Sequence, residues 1–295
     1  MKIQFDHDLQ SSFYLWFDDK LTRQEEAVID QGGQIFDTVV RGGSDDAIDL
    51  PDNLDAYYCP NRQLVINGEE IPSGVYIDGG FVEQHEPPYN LLIDHNEGRI
   101  LTKSVSSGGQ DLIDAEISGN FKKKELNVYI TNETEEQLLL QNDFILSDVV
   151  GEPTYIQQQA ELGDLKYTLP AAFISLNTSF NEEWALGGVN DTRSVIRVVV
   201  ITDGNYNLDA VLSAFRDAQK KIFHIIDFEN FPFGEFYHVK NFPYYYPDFA
   251  EQNKSEQGPA FIDRITVSKL FDRSGAQIPK GIRVGFIDFE ISTIR

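Results

Sequence analysis

The chain has 295 residues, and 48 acidic against 24 basic side chains give it a formal net charge of −24. A free surface of that sign repels nucleic acid, which argues against binding by phosphate neutralisation; it fits solubility, a basic partner, or a passage whose walls must not hold DNA. With 41% hydrophobic residues, including 21 Phe and 13 Tyr, the composition is that of a folded protein with a substantial core. Apolar runs such as "VIRVVVI" are strand-sized, far short of the roughly 20 residues of a membrane-spanning helix, and "MKIQFDHDLQ" lacks the apolar stretch of a secretory signal.

In chain order, residues 8–28 place Leu9, Phe13, Trp16, Phe17 and Leu21 at spacings of three and four. That spacing predicts a helix with one packed aromatic face, Asp18, Asp19, Arg23, Glu25 and Glu26 on the others, and Asp6 or Asp8 as its cap. A polar, Gly- and Asp-rich passage, "DQGGQIFDTVVRGGSDDAIDLPDN", reads as irregular or paired-strand chain between elements. Cys59 is the single cysteine, which rules out an internal disulfide framework and a cysteine-rich zinc site. It reads as a buried structural thiol in a chain suited to a reducing cytoplasm or a particle assembled there.

From about 56 to 130, short alternating runs separated by turn signals predict a small antiparallel sandwich or barrel. "NGEE" (67–70) and "DGG" (78–80) are compact turns, and "IDHNEGRI" is a hairpin whose loop ends in Gly98. Residues 131–165 read as an acidic, Gln-rich connector with short strand or helical pieces. "LPAAFISLNTSFNEEWALGG" predicts a strand, then a polar turn and a small-residue turn. "RSVIRVVVIT" is a buried strand. Residues 208–223 are the best helix signal, with Leu208, Val211, Leu212, Phe215, Ala218 and Phe223 on one side. "AFIDRITVSKLFD" and "IRVGFIDFEISTI" form a closing antiparallel hairpin across "RSGAQIPKG".

Three stretches invite a chemical reading. "DGNYNLDAVLSA" from Asp203 begins like a calcium loop, yet the sixth and twelfth positions, where Gly and Glu are required, are Leu208 and Ala214. As a phosphate cradle it has one glycine and no base before Arg216. A strand-to-helix joint explains every residue, with Asn207 as the cap. In "HIIDFEN", His224, Asp227 and Glu229 lie close in sequence without a ligand spacing, and a histidine at a helix C-terminus is the simpler reading. "KKK" (122–124) reads as a strand-edge gatekeeper or a partner contact. No enzyme motif, cofactor motif or metal set emerges, so the expectation is a non-enzymatic protein without a cofactor. The aromatic stretch "NFPFGEFYHVKNFPYYYPDF" reads either as an interface arm or as a loop covering the core. In the first case Phe231, Phe233, Phe236, Tyr244, Tyr245 and Tyr246 are the anchors.

"HDLQSSFYLWFDDKL", "PSGVYIDGGFV", "LLIDHNEGRIL", "LPAAFISL…EWALGG…RSVIRVVVITDGNYNLDAVLSAFRD" and "DRITVSKLFDR…IRVGFIDFEI" together resemble a virion structural protein of tailed bacteriophages. The second half is similar in order of elements to tail-terminator and neck proteins. The resemblance implies helices packed on an antiparallel sheet and a homo-oligomeric ring, commonly hexameric, between head connector and tail. Its implied neighbours are connector, tail-tube or sheath proteins, with DNA passing through the lumen and assembly in the host cytoplasm. The expected architecture is α+β: an N-terminal helix and acidic β-rich domain over 1–150, then a tail-terminator-like domain over 151–295. A baseplate or capsid accessory protein, and a carbohydrate- or receptor-binding β module, stay open as alternatives.

Overall fold

The computed structural model describes residues 5–22, 28–30, 34–36, 38–41, 50–58, 63–66, 73–110, 112, 114–141, 143–146, 154–156, 166–183, 190–234, 237–240, 244–270 and 282–294. Cys59, Arg23, Glu25, Glu26, Phe236, "NGEE" and "RSGAQIPKG" lie outside them. The fold is mixed α+β, with strands predominating. The chain divides into two compact units, one of residues 1–21, 126–230 and 246–295, the other of 22–125 and 231–245. A cut at residue 150 therefore does not follow the packing. The first helix and the strand at 127–130 belong with the C-terminal half, and the aromatic arm belongs with the β-rich part.

Helix α1 (Phe5–Thr22) begins before Asp6 and Asp8, so neither caps it. Leu9, Phe13, Trp16, Phe17 and Leu21 are buried as their spacing predicts, but so are Asp18 and Asp19. The helix is enclosed on nearly all sides rather than along one stripe. Asp8 is buried too. Its carboxylate accepts from the amide of Phe228 (3.2 Å) and from Gln257 Nε2 (3.4 Å), and burial pushes its pKa up.

Among the described residues, the β-rich unit has ten short strands: β1 (Val28–Asp30), β2 (Gln34–Ile35), β3 (Thr38–Arg41), β4 (Leu54–Tyr58), β5 (Gly74–Ile77), β6 (Gly80–Glu83), β7 (Leu92–Asp94), β8 (Arg99–Lys103), β9 (Ile117–Gly119) and β10 (Lys122–Lys124). They form two antiparallel four-stranded sheets, β2-β9-β5-β6 and β3-β4-β8-β7, and a β1-β10 pair; the second sheet curls into a half-barrel. Val75, Ile77 and Ile117 of one sheet share a core with Tyr57, Ile93 and Ile100 of the other. Phe36 and Phe121 meet edge to face within that core at 5.7 Å. The β5–β6 turn sets Asp78 at φ 48° and Gly79 at φ 79°, the left-handed pair that matches strand twist in a two-residue hairpin. In the β7–β8 hairpin, Gly98 takes φ 65° and buried Asp94 staples the loop. Its Oδ1 accepts from the amides of Asn96 and Glu97, and its Oδ2 from Arg99 Nε at 2.8 Å.

The second unit carries α1 and the remaining elements: β11 (Asn127–Ile130), α2 (Glu135–Gln141), β12 (Asp143–Leu146), β13 (Thr154–Ile156), β14 (Lys166–Leu169), β15 (Ala171–Glu183), β16 (Asn190–Thr202), α3 (Asn205–Arg216), β17 (Ile222–Ile226), α4 (Tyr246–Gln252), β18 (Lys254–Lys269) and β19 (Arg283–Ile294). Its main sheet runs β11-β15-β16-β19-β18-β17. All neighbours are antiparallel except β11 and β15. One face packs on α1 and α3 through aromatic rings. Phe17 stacks on Phe215 at 3.9 Å, and Phe13 meets Phe289 at 4.8 Å and Phe223 at 5.8 Å. The other face, with Phe173, Val199, Ile201 and Val284, packs on Leu138 of α2 and on Phe144 and Leu169 of the small β13-β12-β14 sheet. At the rim of this second core, Arg197 makes a two-point contact with Asp288 (Nε to Oδ1 2.6 Å, Nη2 to Oδ2 2.9 Å) and also pairs with Glu135.

Two local expectations change. The polar run after Leu176 is not a turn: β15 continues through a bulge between Leu176 and Thr178 to Glu183. Side chains sustain that pairing, with Thr192 donating to Asn181 (2.7 Å) and Ser194 to Ser179 (3.1 Å). Helix α3 stops at Arg216, and Phe223 lies on β17, after a turn in which Lys220 has φ 63°.

Candidate functional site

The aromatic arm folds back on itself. Phe233 pairs with Val239, and the amide of Gly234 donates to the carbonyl of His238 at 2.9 Å. A Cβ on Gly234 would lie 2.1 Å from the His238 ring, so the turn needs glycine. Phe231, Phe233 and Tyr244 are buried, with Phe233 at 5.4 Å from Phe231 and 5.9 Å from Tyr244. Tyr246 is also buried, at the start of α4 in the other unit. Of the described anchors only Tyr245 is exposed, at 44%. Phe231, Phe233 and Tyr244 of the arm thus pack on the chain's own interior.

The joint after β16 also differs from its expected chemistry. Gly204, in extended conformation, is the residue before the first turn of α3. Asn207 lies inside the helix, its side-chain amide donating to Asp203 Oδ1 at 3.2 Å, so it is not the cap. In "HIIDFEN", His224 sits on a strand, not at a helix end. Its Nε2 lies 3.2 Å from Glu251 Oε2, while Asp227 accepts from Ser255 Oγ at 2.6 Å. These side chains serve separate contacts, and among the described residues no cluster fit for a metal occurs. "KKK" lies on β10 against β1, but Lys123 and Lys124 are buried, and Lys124 Nζ donates to Gln63 Oε1 at 3.3 Å. These two lysines are interior groups rather than a surface patch.

What the main sheet leaves open is its lateral edges. β11 covers β15 only over Ala171–Ile174, and β17 pairs with β18 only over Lys254–Phe261. Among the described residues, no strand borders the outer side of β15, away from β16, beyond Ile174, or the outer side of β18, away from β19, beyond Asp263. Residues 177–183 are exposed without interruption, Phe180 at 49%, and Arg264, Thr266, Ser268 and Lys269 are exposed as well. The ladder registers fix where these edges lie. Phe180 is level with Arg193, Ser292 and Phe261, whereas Lys269 is level with Gly285, Val200 and Ala172. The open edges are therefore on opposite sides of the sheet and at opposite ends of its strands. Sequence reasoning missed this because it ended the strand at Leu176.

In the β-rich unit Tyr76 (40%) and Phe81 (48%) are exposed and meet edge to face at 5.3 Å beside the β5–β6 turn. The unit also holds His95 fully enclosed. Burial, reinforced by the ammonium of Lys124, pushes the imidazole pKa down to about 3, so the ring is neutral at physiological pH. Among the described residues no helix is long and apolar enough to cross a membrane.

No protein-family model matches the chain, and no curated protein matches it.

Proposed function

We propose that the chain is a non-enzymatic structural protein of a tailed-bacteriophage virion, of the neck or tail-terminator type, working as a homo-oligomeric ring at the head–tail junction. The observation that carries this reading is the main sheet with two edge stretches that no described strand borders on the outer side, on opposite sides and at opposite ends. Native proteins cover or blunt long sheet edges because they template pairing, and a subunit that keeps two of them is suited to joining its own copies. The segmental resemblance supplies the setting, and the net charge of −24 suits a lumen through which DNA slides without capture. The test is the chain's position in a reconstruction of the intact particle. A ring between head and tail is expected; a place at the baseplate, on the capsid or at fibre tips overturns the assignment.

A second reading rests on Tyr76 and Phe81, whose exposed rings make a stacking platform of the kind that binds sugars. Glycan binding by the purified chain that is lost in Tyr76→Ala and Phe81→Ala would favour a receptor-binding role for the β-rich unit.

A further inference from the structure

We propose that the partner of each open edge is the opposite edge of a second copy, so that Thr178–Glu182 of β15 in one copy pairs antiparallel with Arg264–Ser268 of β18 in the next. This inference rests on the ring reading and names the surface that closes it. Strand polarity is its first support. Across β15-β16-β19-β18 each pair is antiparallel, so β15 and β18 run in opposite directions. A neighbour that continues the sheet without being turned over thus presents β15 antiparallel to β18. The two edges differ, so the contact is heterologous, the class that closes into rings.

Side-chain placement is the second support. Thr178, Val195, Glu290 and Arg264 form one lateral row, which puts Thr178, Phe180 and Glu182 on the same face as Arg264, Thr266 and Ser268. With the faces continuous between copies, one register sets Glu182 opposite Arg264, Phe180 opposite Thr266 and Thr178 opposite Ser268. An acidic residue then meets a basic one, and hydroxyl meets hydroxyl. Within one chain Glu182 faces Arg193 at 3.2 Å and Arg264 lies 3.7 Å from Glu290, so the new pair joins two existing ion pairs into a network. The bulge at Asp263, whose carbonyl accepts from Gln219 Nε2 at 3.1 Å, ends the usable β18 edge. Because the edges lie at opposite ends, successive copies shift along the strands, a shear that strand tilt accommodates in any closed sheet wall.

The test uses the full chain carrying Phe180→Cys and Thr266→Cys together, treated with a short bifunctional thiol cross-linker. The two single variants and the wild type, whose one thiol is Cys59, are the controls. A ladder of covalent oligomers from the double variant, with only dimers from a mixture of the two singles and none from either alone, is the expected result. Cross-linking of one single variant with itself would show like edges meeting and overturn the heterologous pairing. Oligomers by sedimentation without any ladder would overturn the edge contact while leaving the ring standing. A monomer at every concentration, without a ladder, overturns the contact; the ring is then judged on particle position alone. In an independent arm, Glu182→Arg or Arg264→Glu shifts the chain towards monomer, and the double swap restores the oligomer. Failure of that rescue with both singles folded counts against the register.

Discussion

The buried hydroxyl of Ser12 accepts a hydrogen bond from the amide of Ile226 at 2.9 Å and donates to the carbonyl of Asp8 at 2.6 Å. It joins the first helix to a strand 214 residues later, and Phe13 seals the same contact against Phe223 and Phe289. Ser12→Ala leaves the Ile226 amide without its partner inside the protein and is expected to cost about 1–3 kcal/mol. Phe13→Ala removes a fully buried ring and is expected to cost about 3–5 kcal/mol. Urea unfolding of the full chain reads both. Losses below about 0.5 kcal/mol would show the helix to be an attachment rather than part of the core.

Arg197 links β16 to β19 and α2 at the rim of the second core, and both carboxylates raise its pKa above an already high value. Arg197→Met should lower stability by about 1–3 kcal/mol, since Asp288 and Glu135 lose their shared cation. Arg197→Lys should recover only part, because an ammonium cannot make the two-point contact with Asp288. Equal stability of the Lys variant and the wild type would show that charge alone matters there.

His95 makes the β-rich unit acid-sensitive. Its folded pKa of about 3 lies below the ordinary value of 6.5, so the unfolded state binds the extra proton between those limits. The stabilisation is complete above pH 6.5 and is lost as pH falls towards 3. At pH 5 the histidine alone should cost about 2 kcal/mol relative to pH 7. The difference between wild type and His95→Leu, measured at both pH values, should change by that amount. A pH-independent difference would place a charged ring in the core.

The arm is expected to act through packing. Phe233→Ala should destabilise the chain by about 3–4 kcal/mol without changing the size of the assembled oligomer. A variant that kept its melting temperature but lost self-association would make the arm an interface after all.

Asn207→Ala should change stability by less than about 0.5 kcal/mol, because the cap position belongs to Gly204. Calcium should leave the melting temperature of the wild type where it is. A calcium-dependent rise that vanished in the variant would restore the loop as a metal site.

Much of the local structure follows from residue pattern. The 3–4 spacing of Leu9, Phe13, Trp16, Phe17 and Leu21 is enough to make a helix, and Asp78-Gly79 and Gly98 are enough to turn two hairpins. Alternation through "RSVIRVVVIT" gives a buried strand, because each of these signals acts between neighbours in sequence. Pattern misjudges the stretches whose partner is distant. Thr178–Glu183 carry too little apolar character to read as strand, and they are strand only because Asn190–Val195 supply the ladder. Asp18 and Asp19 sit at positions that look solvent-facing until the helix is enclosed.

By itself, then, the sequence determined the α+β class, the acidity and those elements whose signals are local, such as the first helix and the two hairpins. The tertiary structure decided which segments share a core, putting the first helix with the last strands and the aromatic arm with the β-rich unit. It also decided which edges stay open, since an edge exists only relative to the strand that fails to cover it. Local propensities act over a few residues, whereas burial and edge pairing are set by chain segments that meet only after folding, which is why the candidate assembly surface appears in the fold and not in any motif.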